Sequence, residues 1–186
     1  MLNAWAKLKF VDPKTILPQL RAIQELVAVS DLNKKMKDLR TNKLKKHREG
    51  WEAALFCYGI SKLMNSTVYV TPHEDSDFDA IALRIENGVQ RYTPIQIKEL
   101  VPKSLNPNSE LNEEIKKLSK YTGSKDCVVV IHLNRDEKLE LSDVEVPKLQ
   151  IGGLWLLGAT TPDQSKWFIA GDFLVSPQIY EFDFPS

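Results

Sequence analysis

Residues 77–98 read DFDAIALRIENGVQRYTPIQIK, and the interpretation of the whole chain starts from this stretch. Two β-rich runs meet at Asn87-Gly88. This dipeptide best satisfies the two positive φ angles of a type I′ hairpin turn. The sequence therefore predicts an antiparallel hairpin in which Glu86 faces Val89.

The predicted hairpin register gathers polar side chains at one end of the ribbon. If the numbers of facing residues sum to 175, Asp79 lies opposite Gln96 and Asp77 lies opposite Lys98. Facing Cβ atoms in such a pair are about 4.5–5.5 Å apart, so a carboxylate, an amide and an ammonium group should share one face. A bulge at Pro94, which cannot donate a ladder hydrogen bond, would slip the register by one, and Asp77 is then the alternative to Asp79.

The order of the predicted elements defines the expected fold. Side chains on both faces of the hairpin are largely apolar, and a sheet of this kind must be covered on both sides. We therefore expect an α/β protein with three α/β/α layers and a mixed central sheet. An αβββαβ core is expected at residues 48–135, with an N-terminal helical arm at 1–47 and a C-terminal β extension of the same domain at 136–186.

Hydrophobic periodicity and chain-breaking residues predict the individual elements. Helices are expected at 13–29, 48–64 and 110–121, and strands at 67–71, 127–133, 151–159 and 167–175. Ser109 is the expected N-cap of the third of these helices. The second should bury a stripe of apolar side chains, namely Trp51, Leu55, Phe56, Ile60 and Leu63.

Composition excludes several classes of protein. No apolar run approaches the roughly 18 residues that a membrane span requires, and the first residues lack the pattern of a signal peptide, so we expect a cytoplasmic protein without a membrane partner. Cys57 and Cys127 lie in apolar segments without metal-site spacing. They are expected to be buried free thiols.

Charge is distributed unevenly along a chain whose formal net charge is zero. Residues 34–48 carry eight Lys or Arg and one Asp, which leaves seven more acidic than basic residues elsewhere. Ser30-Asp31 is expected to begin a surface helix that carries this basic segment. Such a segment can bind the phosphates of a nucleic acid, with Lys43, Lys45, Lys46 and Arg48 as the predicted contacts. It can equally be a solvated helix face.

A glutamate interrupts the apolar stripe of the second predicted helix. Glu52 shares that face with Phe56 and Ile60, and burying a carboxylate without a partner is costly. Glu49, one turn earlier, is the alternative for any special role. Either residue can also be a solvated side chain at the edge of the stripe.

The polar residues of the hairpin suit the hydrolysis of a phosphodiester. A hard divalent cation needs oxygen ligands, which Asp79, Gln96 and the carbonyl of Ile97 can supply. Lys98 is a compact cation that can orient the attacking water or stabilise the developing charge. Glu52 could reach the same cluster from a helix packed on that face.

These residues resemble the motifs of the PD-(D/E)XK phosphodiesterase, or restriction-endonuclease-like, superfamily. The matching positions are Glu52 in WEAAL, Asp79 in DFDAI, and Gln96-Ile97-Lys98, within residues 48–133. Two departures stand out: Gln96 replaces the commoner acid, and Phe78 rather than proline precedes Asp79. The resemblance implies a Mg²⁺- or Mn²⁺-dependent endonuclease acting on DNA, in restriction, defence or repair. It implies catalytic residues Glu52, Asp79, Gln96 and Lys98, with the metal bound by the first three.

Other interpretations stay open. Loss of catalysis would leave a nuclease-fold protein that binds or regulates, and the Gln at position 96 keeps this possibility open. The hairpin can also be purely structural, with an ion pair between Asp77 and Lys98, or the acidic body can bind a basic protein partner. The C-terminal strands would extend the sheet or form a homodimer surface. His73, in the turn before the hairpin, is either a proton carrier or an ordinary surface histidine.

Overall fold

A computed structural model describes residues 2–32, 44–73 and 78–186 of the chain. The helices are α1 (Leu2–Trp5), α2 (Pro13–Ala28), α3 (Lys45–Met64) and α4 (Leu111–Lys116), with 3₁₀ turns at Lys117–Lys120 and Leu141–Asp143. The strands are β1 (Val68–Pro72), β2 (Ala80–Glu86), β3 (Val89–Leu100), β4 (Ser124–Leu133), β5 (Ile151–Ala159), β6 (Lys166–Gly171) and β7 (Gln178–Asp183).

The protein has a mixed α/β fold built on a seven-stranded sheet whose strands follow one another in sequence order. Strands β4 and β5 run parallel, whereas the pairs β1–β2, β2–β3, β5–β6 and β6–β7 are antiparallel. The predicted succession of helix, three strands, helix and strand is confirmed from α3 to β4. The C-terminal strands extend the sheet, as one of the two expectations for them stated.

The chain divides into two compact units. The first comprises Met1–Ile95 with Pro185–Ser186, and the second comprises Gln96–Phe184. The division falls inside β3. None of the described helices is both long and apolar enough to cross a membrane.

The hairpin of the first unit has the predicted turn and register. Asn87 and Gly88 have φ angles of 51° and 77°, as a type I′ turn requires. The ladder runs without a shift from Glu86 opposite Val89 to Ala80 opposite Ile95. Pro94, facing Ile81, therefore causes no bulge. Asp79 and Gln96 lie one position beyond the ladder, so their direct pairing stays a prediction.

Helix α3 is the most deeply buried helix segment of the first unit. Every residue from Glu49 to Gly59 is buried, so the helix is enclosed on all sides over that stretch. It packs on β1 and β2. The approach is close at Gly50, where an added Cβ would lie 3.2 Å from the ring of Pro72. Leu63 was expected in the buried stripe. It lies in the last turn of α3, beyond the enclosed stretch, and is 44% exposed.

Aromatic side chains dock the N-terminal residues on the hairpin. The Trp5 ring meets the Phe78 ring edge-on, with centroids 5.8 Å apart, and the Phe10 ring lies 5.7 Å from that of Tyr92. Helix α2 begins as expected, because the Asp12 side chain accepts a hydrogen bond of 2.8 Å from the Lys14 amide.

The second unit has its own apolar core. Side chains from α4 and the 3₁₀ turn after it, such as Ile115 and Leu118, pack with residues of β4 and β5. The helix starts one residue later than expected, with Glu110 at the N-cap position. Ser109 is not the cap, because its hydroxyl donates a hydrogen bond to Glu114 Oε1 at 3.2 Å. Cysteines 57 and 127 are buried and free, as predicted.

Candidate active site

Asp79 lies immediately before β2, and its backbone is fixed on both sides. Its amide donates to the carbonyl of Ile95 at 2.9 Å, and its carbonyl accepts from the His73 amide at 3.1 Å. The side chain is half-buried. Both polar groups of the backbone are satisfied, so the main chain that carries this carboxylate is fixed.

Phe78 anchors the chain beside Asp79. The Phe78 ring is buried between Trp5, whose ring meets it at 86°, and His73, whose ring stacks on it at 6.1 Å. Phe78 occupies the position where the motif of the superfamily has proline. Aromatic packing thus immobilises the residue before the carboxylate here. Of the other acidic candidates in this turn, Asp77 and Glu74 lie outside the described residues.

Two glutamates of α3 are buried on the same helix. Glu52 is only 1% exposed and Glu49 is 6% exposed, so neither is the solvated edge residue that the sequence left open. A buried carboxylate requires a compensating charge. Lys45 Nζ lies 3.0 Å from Glu49 Oε1, and Arg48 Nε lies 3.8 Å from Glu52 Oε1.

The pKa of Glu49 is affected by burial and by neighbouring charges. Burial raises the pKa of Glu49 above its ordinary value, while the hydrogen bond from Lys45 opposes this shift. The charges of Asp79 and Glu52 raise the pKa further. Glu49 therefore interacts electrostatically with both Asp79 and Glu52 within the first unit, and we call these three residues the acidic cluster.

The predicted DNA contacts have different surroundings at the start of α3. Lys46 is exposed to solvent. Lys45 and Arg48, by contrast, are engaged in the ion pairs with the acidic cluster. Lys43 lies outside the described residues, as does most of the basic segment. The described lysines and arginine thus belong to α3 itself rather than to a helix that precedes it.

Gln96 and Lys98 lie in the second unit, on β3. Gln96 is 7% exposed, and its Nε2 donates to the carbonyl of Ile97 at 3.1 Å. The Tyr121 hydroxyl donates to Gln96 Oε1 at 3.4 Å, and Lys98 Nζ lies 5.9 Å from the centroid of the Tyr121 ring. Tyr121 was missed from the sequence, because no spacing relates it to residues more than twenty positions earlier.

The donor atoms of the acidic cluster suit a hard divalent cation, which binds through carboxylate oxygens. A cation there would offset the mutual repulsion that contributes to the raised pKa of Glu49. Among the residues that the structure describes, no three His, Cys, Asp or Glu side chains are grouped closely enough to hold a metal by themselves.

The histidines have separate surroundings. His73 stacks on Phe78 and is half-buried, and His47 is exposed on α3. His132 is buried in the second unit, 5.8 Å from the ring of Trp167. Of the three, His73 is the one beside the acidic cluster, through its backbone bond to Asp79.

Comparison with known proteins adds no relative. The chain matches no protein-family model, no curated protein and no solved structure. The resemblance to the PD-(D/E)XK superfamily therefore rests on the motifs and on the order of the elements around them.

Proposed function

We propose that this chain is a metal-dependent endonuclease that hydrolyses phosphodiester bonds in DNA, in a defence, restriction or repair setting. The observation that carries the proposal is the acidic cluster. Two glutamates on one helix are buried to 6% exposure or less, and Glu49 interacts electrostatically with Asp79, whose backbone is held by two hydrogen bonds. Carboxylates kept in such an environment are typical of functional sites, because a protein fold alone seldom requires them.

Each residue of the motif has a chemical role in this proposal. Asp79 and Glu52 supply anionic oxygen ligands and Gln96 a neutral one, while Lys98 orients the attacking water or stabilises charge on the phosphate. The Mg²⁺ or Mn²⁺ ion, when bound, would polarise the phosphate and lower the pKa of its bound water. The assignment of Gln96 and Lys98 to this reaction rests on the resemblance.

The proposal is tested by a cleavage assay with supercoiled, linear and single-stranded DNA in Mg²⁺ or Mn²⁺. We expect cleavage by the wild type and loss of cleavage on addition of EDTA. The cleavage rate should fall about a hundredfold or more in Lys98→Ala, because the Lys98 ammonium group acts on charge that develops in the transition state. Lys125→Ala removes an exposed lysine from β4 and is the matched control. Equal rates for Lys98→Ala and Lys125→Ala would contradict the role of Lys98.

A second candidate is a nuclease-fold protein that binds DNA or regulates without cleaving it. The ion pairs Lys45–Glu49 and Arg48–Glu52 favour this candidate, because they already neutralise both buried glutamates without a metal ion. Gln96, which lacks the charge of the commoner acid, favours it as well. Salt-dependent DNA binding without cleavage in either metal would decide for this candidate.

A further inference from the structure

Tyr121 is the side chain that contacts both polar residues of the Gln96-Ile97-Lys98 motif. It follows the 3₁₀ turn Lys117–Lys120 and packs against the core of the second unit. Its hydroxyl reaches Gln96 Oε1, and its ring lies near Lys98 Nζ. The body of the tyrosine is thus held by the core while its polar end meets the motif.

The hydrogen bonds around Gln96 determine which way its amide faces. A backbone carbonyl only accepts hydrogen bonds, so the atom of Gln96 that faces the Ile97 carbonyl must be Nε2. Oε1 then points to Tyr121, whose hydroxyl donates to it.

The ring of Tyr121 also attracts positive charge. Lys98 Nζ and Lys120 Nζ lie 5.9 and 5.4 Å from the ring centroid, within the range of a cation–π interaction. Lys98 has a long and flexible side chain. Contact with a ring that the core holds in place therefore narrows the positions available to its ammonium group.

We propose that Tyr121 is a positioning residue for the phosphodiester hydrolysis. Its hydroxyl fixes the orientation of the Gln96 amide, and its ring holds the Lys98 ammonium group for the phosphate. The inference rests on the proposed function. Lys120, exposed and close to the same ring, would be a second cation available to the DNA backbone.

Two substitutions separate the two contacts of Tyr121. Tyr121→Phe removes the hydroxyl and keeps the ring, whereas Tyr121→Leu removes both. Tyr180→Phe, on the half-buried Tyr180 of β7, is the matched control. The first measurement is NMR of the metal-free protein, with circular dichroism to confirm folding. We expect the NMR resonances of the Gln96 side-chain amide to shift in Tyr121→Phe. The upfield ring-current shift of the Lys98 ε protons should persist in Tyr121→Phe and disappear in Tyr121→Leu.

The second measurement is the cleavage rate at saturating DNA and Mg²⁺. Loss of one hydrogen bond should lower kcat about two- to tenfold in Tyr121→Phe, with KM for DNA unchanged. Tyr121→Leu should lower kcat further, and Tyr180→Phe should not change it. The role of Tyr121, but not the proposed function, would be overturned in either of two cases. One is that the Gln96 resonances do not change in Tyr121→Phe and the Lys98 resonances do not change in Tyr121→Leu, and the other is that folded Tyr121→Leu keeps the wild-type kcat. A wild type that cleaves no substrate would instead overturn the proposed function and the catalytic role with it.

Discussion

Among single residues, the main feature is the burial of two glutamates on one helix. Glu52 and Glu49 lie inside the first unit with Lys45 and Arg48 as ionic partners. Replacing such a pair by well-packed apolar residues is often neutral or stabilising, so stability alone does not account for it. The proposed binding of a cation by the carboxylates would account for it.

The raised pKa of Glu49 predicts how its substitution changes stability with pH. The native state holds the carboxyl proton of Glu49 more tightly than the unfolded chain does, because a glutamate in the unfolded chain has a pKa of about 4.3. The contribution of Glu49 to stability is therefore present below that pH and is lost as the pH rises through the native pKa. Glutamine does not titrate, so the free energy of unfolding of Glu49→Gln, relative to wild type, should increase across this window.

Urea denaturation of both proteins between about pH 3 and 8 measures this difference. Glu113→Gln is the control with the opposite sign, because the Lys116 ammonium 2.8 Å away holds the pKa of Glu113 below its ordinary value. Its relative stability should decrease as the pH rises. A difference for Glu49→Gln that falls with pH, or does not change, would contradict the electrostatic description of the acidic cluster.

At the residue scale, sequence identified Glu52, Glu49 and Asp79 as candidates but left the environment of the glutamates undecided. Glutamate is usually solvated, so a glutamate beside an apolar stripe is normally interpreted as an exposed edge residue. Burial on all sides of α3 depends on elements distant in sequence. The contact of Tyr121 with Gln96 has the same origin, and no local pattern encodes it.

At the scale of elements, the hairpin was the most predictable part of the chain. The Asn87-Gly88 turn fixes the register through backbone angles that few other residues adopt, and the alternation on both strands agrees with it. The start of α3 was less predictable. Its N-cap position, Leu44, makes no side-chain hydrogen bond, so the sequence carries no capping signal for a start at Lys45, three residues before the expected start at Arg48.

The turn of the hairpin allows a direct test of its backbone requirement. Gly88 has φ of 77°, and an added Cβ would meet no atom within 4 Å. Gly88→Ala should therefore lower the free energy of unfolding by about 1–2 kcal/mol, the cost of the left-handed conformation for a residue with a side chain. Thermal or urea unfolding measures the change.

Gly123→Ala is the matched control for this substitution. Gly123 also has open space around its Cβ position, but its φ angle lies outside the left-handed region. Its substitution should leave stability unchanged or raise it by up to about 1 kcal/mol. Equal effects at the two glycines would show that the turn does not need the positive φ angle.

At the scale of the whole molecule, the sequence predicted a mixed α/β protein and the C-terminal extension of the sheet. It did not predict that β4 and β5 run parallel. The connection between them, residues 134–150, is long enough for a parallel crossover. The sequence also gave no signal for the division of the chain within β3, because one continuous strand passes through that point.

The uneven charge of the chain predicts salt-dependent binding to DNA. Lys46 is the clearest described probe, because it is exposed, whereas Lys45 is paired with a buried glutamate. If Lys46 contacts a phosphate, Lys46→Gln should reduce the slope of log affinity against log salt by about 0.9. A salt titration of binding to duplex DNA measures the slope. Lys14→Gln, an exposed lysine on α2, is the control, and identical slopes for all three proteins would remove Lys46 from the interface.

Metal binding tests the proposed cation site of the acidic cluster without knowledge of the substrate. Calorimetric titration of Mn²⁺ should show one site in the wild type and at least a tenfold weaker affinity in Asp79→Asn. The substitution removes one anionic ligand at nearly constant shape, and a tenfold loss of affinity corresponds to about 1.4 kcal/mol of binding free energy. Asp126→Asn, at an exposed position of β4, should bind as the wild type does. Equal affinities for the wild type and a folded Asp79→Asn protein, or no binding by either, would contradict the proposed cation site.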